Sequence, residues 1–100
     1  MPAYIISDAT FRDPAALEIY RTRAVASIAQ HGGRFLVRSG ATEVLEGEWK
    51  PRSIVIVEFL SMDAACAWYR SAEYAKALEV RDRELSCTLV LVEGVAATAR

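Results

Sequence analysis

The segments SIVIVEF (residues 53–59) and SCTLVLVEGV (86–95) constrain this chain more than any other feature. Side chains alternate along a strand. Ile54 and Ile56 therefore point one way and Val55, Val57 and Phe59 the other, and Leu89 and Leu91 oppose Val90 and Val92. Both faces are apolar, so a sheet built from these strands has to be covered on both sides.

The remaining pattern supplies cover for one side. AYIISDA (3–9) reads as a strand. Asp13-Pro14 reads as an N-cap followed by proline at the first helical position, where its missing N–H costs nothing. Leu17, Tyr20, Ala24 and Ile28 then recur at helical spacing and define one amphipathic face. The stretch HGGRFLVRSG (31–40) ends that helix, with Gly32 or Gly33 as the left-handed residue beyond it and His31 in its last turn. RFLVRS follows as a strand. A phosphate-cradling loop needs the reverse order, strand then glycines then helix, so these glycines are read as a helix stop.

Gly40 predicts a bulge or kink, with TEVLEG continuing the strand and EGEWKPR (46–52) forming a polar loop. Ser61 is placed to cap a second helix and Ser71 a further helical segment after a break near Arg70, in which Glu79 and Arg83 have i,i+4 spacing. The tail AATAR reads as frayed. Residues 1–95 are thus read as a single domain and 96–100 as a C-terminal tail.

The order strand, helix, strand, strand, helix, strand makes the fold class α+β. Two right-handed β-α-β units give a ferredoxin-like βαββαβ sandwich, a four-stranded antiparallel sheet with two helices on one face. The helices leave the other face bare. A twofold homodimer through the open sheet face is the simplest cover. Burying even ~600 Å² of apolar surface there is worth roughly 15 kcal/mol before association costs.

Composition narrows the function classes. Hydrophobic residues make up 53% of the chain, and 12 basic and 13 acidic residues leave a net charge of −1 with no block of either sign. No basic stripe predicts nucleic-acid binding. No segment predicts a signal peptide, a transmembrane span or a membrane-surface helix. Cys66 and Cys87 lack a CxxC pattern and read as reduced thiols, which favours a cytoplasmic location. One histidine and two scattered cysteines give no metal site, and no cofactor is expected.

HGGRFLVRSG, EVLEGEWKPRSIVIVEF, AWYRSAEYAKALEVR and the closing LVLVEGV together resemble the bacterial family called DUF1330, a domain of unknown function. The resemblance runs from Tyr4 to Val95 in order. It implies a dimeric α/β-barrel architecture and no established activity.

Several side chains are candidates for chemistry. His31 is a candidate acid–base catalyst, because imidazole titrates near neutrality; the alternative is a cap on free helix carbonyls. Glu58 and Asp8 are carboxylates inside apolar strands, each needing a partner or a raised pKa. Arg34 and Arg38, four apart, are expected on one strand face, with Arg38 holding a ligand carboxylate or pairing with Glu58. Trp49 and Arg52 are read either as a lid over a pocket or as anchors on a second subunit. The site expectation is therefore Arg38 facing an anion, His31 and Glu58 near it as the catalytic candidates, Trp49 closing the region from the loop, and Arg52 and Asp8 as further ligand-binding candidates. Tyr20, Trp68, Tyr69 and Tyr74 are read as core between helices and sheet. Two functions follow: a dimer that binds or transforms a small carboxylate or aromatic metabolite in a cleft between helices and sheet, or a non-catalytic interaction dimer with His31, Arg38 and Glu58 in structural roles.

Overall fold

The computed structural model describes residues 1–95, apart from the side chains of Phe11 and residues 81–86. The tail AATAR and the Glu79–Arg83 pairing lie outside the described residues. The elements are β1 (Ala3–Phe11), α1 (Pro14–Gln30), β2 (Arg34–Arg38), β3 (Ile54–Phe59), α2 (Met62–Tyr69), α3 (Ala72–Glu84) and β4 (Leu85–Glu93).

Local chemistry sets the helix ends. Asp13 accepts a hydrogen bond from the Ala15 amide at 3.0 Å, and Pro14 opens α1. At the other end Gly33 N–H donates to Ile28 O at 2.9 Å and Gly32 N–H to Ala29 O at 3.2 Å. Gly32 has φ +75. This pair of bonds is a Schellman stop, with Gly32 as its left-handed residue. Ser61 Oγ accepts from Ala64 N at 3.1 Å. Ser71 Oγ accepts from Tyr74 N at 3.1 Å and donates to Trp68 O at 2.7 Å. The second helical region is therefore two helices, so among the described residues three helices rather than two accompany the sheet. Ser71 both ends α2 and starts α3.

The sheet order is β2-β3-β1-β4, and every pairing is antiparallel. Ala3, Ile5, Val57 and Phe59 face the helices and form the core with Ala24, Ile28, Ala65, Trp68, Tyr74 and Ala77. Trp68 donates from Nε1 to the buried Ser27 hydroxyl at 2.9 Å, and Tyr20 and Tyr74 join hydroxyls at 2.8 Å. Trp68 and Tyr74 are buried and Tyr20 is partly so, whereas Tyr69 is exposed. The opposite face carries Tyr4, Ile6 and Asp8 from β1 beside Glu58, Ile56 and Ile54 from β3. Val90 (51% exposed) and Val92 (44%) continue it on β4.

Two strand expectations are corrected. The irregularity in β2 lies not at Gly40 but between Phe35 and Val37, where Leu36 is the extra residue of a bulge. TEVLEG does not continue the strand. Ser39 adopts φ +54 and turns the chain while its amide donates to Ile54 O at 2.8 Å, and residues 40–53 run without regular structure.

Candidate functional site

The bulge decides the site. Arg34 lies opposite Glu58, Phe35 opposite Val57, then Val37 opposite Ile56 and Arg38 opposite Val55. Without the extra residue at Leu36, Arg34 and Arg38 would share a face. With it, Arg34 stays on the open face and Arg38 moves to the helix side. The expectation that both arginines emerge together is corrected accordingly.

On the open face Arg34 donates from Nε to Glu58 Oε1 at 2.8 Å. The partner of Glu58 is thus Arg34, not Arg38. Tyr4 sits opposite Glu58 in the sheet. Desolvation first, and then the hydrogen bond to the Glu58 carboxylate and its charge, push the Tyr4 phenol above its usual 10.0. Further along the same face Asp8 gathers the loop before β3. It accepts from the amides of Ser53 and Arg52, both at 3.0 Å, and from Trp49 Nε1 at 3.3 Å. Those two backbone bonds hold its carboxyl below the usual 3.8, partial desolvation opposes them, and Trp49 and the Arg52 charge add to the lowering. Trp49 itself remains 59% exposed.

His31 lies elsewhere again. As the C-cap residue of α1 it donates from Nε2 to Glu73 Oε1 at 3.3 Å, joining the end of α1 to the first turn of α3. The structure thus brings Asp8, Trp49 and Arg52 together on the open face, but it does not bring His31, Glu58 and Arg38 together.

On the helix side, α1 packs on α3 and stands off the sheet over much of its length. The gap is a cavity of about 770 Å³, within the range of small-molecule sites. Leu17, Tyr20, Ala24 and Ile28, the amphipathic face legible in the sequence, form one wall. The sheet forms the other, graded along the strands. Phe35, Val57 and Ile5 make an apolar row at the deep end. Arg38, Val55, Ser7 and Leu89 make the next. Ser39, Ser53, Ala9 and Cys87 make the last. Successive rows are ~6.8 Å apart, two residues along a strand. The Arg38 guanidinium stacks on the Phe35 ring, 4.1 Å from its centre. Among the described residues it forms no salt bridge.

Sequence reasoning named Arg38 but missed Ser39 and Ser53. Their hydroxyls lie 2.6 Å apart at the mouth of this cavity. The only signal was their position just outside two strands. Among the described residues no cluster of His, Cys, Asp and Glu is placed to hold a metal ion, and no helix is long and apolar enough to cross a membrane.

The four-stranded antiparallel sheet with its helices on one side defines a ferredoxin-like α+β protein. The chain belongs to the family described as a domain of unknown function, DUF1330, whose model matches residues 2–95. No curated protein sequence matches it. Its fold is similar to that of a protein of unknown function from Rhodopseudomonas palustris, at 17% identity and TM-score 0.75, covering 95% of this chain and 83% of the other. It is similar also to SnoaB, a cofactor-independent oxygenase from Streptomyces nogalater, at 16% identity and TM-score 0.65, covering 99% and 98%. A dimeric ferredoxin-like protein of unknown function from Bacteroides fragilis shares the fold at 15% identity and TM-score 0.62, covering 93% and 96%. At these identities the likeness concerns fold.

Proposed function

We propose that the cavity between α1 and the sheet binds an aromatic carboxylate, with Arg38 as its anion anchor, in a cytoplasmic homodimer closed through the open sheet face. The observation that carries this reading is the placement of Arg38. A permanent cation faces a largely apolar cavity with aromatic walls, and no carboxylate of the described residues neutralises it. The graded wall orients the ligand, carboxylate toward Arg38 and ring system toward Phe35, Val57 and Trp68. The apolar row Ile6, Ile56 and Val90 on the other face, and the dimeric state of the Bacteroides fragilis protein of like fold, support the homodimer. An oxygenase of like fold keeps turnover of the bound aromatic within the reading.

His31 and Glu58 belong to structural side-chain pairs in this proposal, since each has its partner outside the cavity lining. Asp8, Trp49 and Arg52 fasten the loop on the dimer side, so Trp49 is an interface anchor rather than a lid.

The test is titration of wild-type protein and Arg38→Met with 2-naphthylacetate, followed by thermal shift and calorimetry. Wild type should show a saturable rise in Tm that Arg38→Met loses. The variant without ligand should lose no more than about 1 kcal/mol, the worth of an exposed cation–π contact. A large loss of stability in Arg38→Met, with no ligand response in wild type, would overturn the binding reading.

A further inference from the structure

The mouth of the cavity holds a second recognition element beside Arg38. Consecutive strand residues normally point to opposite faces. Ser39, just past the end of β2, is free of that rule. Its backbone has φ +54, a conformation an L-residue with a side chain seldom takes, and Arg38 and Ser39 both line the same cavity. The outcome is a guanidinium and a hydroxyl from adjacent residues on the same cavity wall, with the Ser39 hydroxyl bonded to that of Ser53 at 2.6 Å.

The chemistry of the two elements differs. A guanidinium only donates, which suits the two oxygens of a carboxylate. A hydroxyl pair does both. One serine donates to the other, which leaves one O–H to donate outward and lone pairs to accept. Such a pair is redundant for a bare carboxylate and suits a ligand hydroxyl on the carbon next to it. Ala9 and the Ser7 position on the neighbouring strand leave that end of the wall small.

Resting on the Arg38 reading above, we infer that the ligand is an aryl 2-hydroxycarboxylate, with its carboxylate on Arg38 and its 2-hydroxyl on the Ser39–Ser53 pair. The serines are then specificity-determining residues. Fixing carboxylate, hydroxyl and ring at three separate places also makes binding chiral, so one enantiomer is preferred.

The experiment uses full-length protein, 2-naphthylacetate and the separate enantiomers of its 2-hydroxy derivative, with affinities from calorimetry. In wild type one enantiomer should bind about tenfold more tightly than 2-naphthylacetate, the gain of one well-placed hydrogen bond to the pair. Ser53→Ala and Ser39→Ala should each reduce that preference to near unity. Melting curves of both variants establish that they are folded, and Ser53→Ala, at an ordinary backbone position, carries the test if Ser39→Ala is not. Equal binding of all three compounds in wild type, with 2-naphthylacetate still dependent on Arg38, overturns the hydroxyl assignment and leaves the carboxylate site standing. Absence of binding by all three overturns both.

Discussion

Gly32 and Gly33 are adjacent and both required, for unlike reasons. Gly32 has φ +75 with open space where a Cβ would stand, so Gly32→Ala costs backbone strain of about 1 kcal/mol. A Cβ on Gly33 would lie 2.7 Å from Ile28 Cγ2 and 2.8 Å from Phe59 Cε1, and Phe59 is 1% exposed and cannot yield cheaply. Gly33→Ala should therefore cost more, about 1–3 kcal/mol, as overpacking does. Urea denaturation of the two variants checks the order; a milder effect at Gly33 than at Gly32 contradicts this packing account. The sequence made the helix stop visible because a stop is local chemistry. It could not tell which glycine carried the positive φ and which the close approach, since the second depends on a strand about 25 residues away.

At the scale of elements, β2 and the 40–53 segment set what each sheet face offers. Removing Leu36 should let β2 pair regularly while Arg38 stays opposite Val55, so the deletion variant should keep the Arg38-dependent response to 2-naphthylacetate. Loss of that response in a folded deletion variant would show that the bulge itself shapes the site. The 40–53 segment is tied to β1 through Asp8. Its carboxyl has a folded-state pKa below 3.8, so the stability it contributes is fully present above that value and is lost as pH falls through the lower folded value. Urea midpoints of wild type and Asp8→Asn should accordingly differ at neutral pH and converge in acid, below pH 3.8. A gap that stays constant into acid shows that the charge is not what holds the segment. Period-two counting found the strands and the apolar faces but could not see an inserted residue, and so misplaced Arg38 relative to Arg34. The Glu58 partner depended on register between strands, and the contact of His31 with Glu73 depended on how two helices meet. Neither is written in any one segment.

Taken whole, the molecule is a thin slab, with a shortest principal extent of 16 Å, filled on one side and bare on the other. The bare side predicts assembly. Sedimentation at micromolar concentration should give twice the 11.0 kDa chain mass, and Val90→Glu, on the open face of the edge strand β4, should shift it toward the monomer. A folded wild-type monomer at that concentration would remove the dimer from the reading. The fold was legible because apolar alternation, caps and element order agree with one another. The cavity was legible only in part: its helix wall follows from spacing alone, whereas its polar end depends on one bulge and one left-handed serine.

That bulge has a bearing on how this chain is compared with its relatives. A protein of the same family that lacks the Leu36 residue keeps the geometry with an arginine only three positions beyond the one that pairs across the sheet. Another that keeps the residue but pairs without a bulge sends the second arginine out to the opposite side. Within β2, alignment columns and spatial equivalence part company, and a role passed from one homologue to another has to be counted inward from the strand's partner on β3 rather than along the chain.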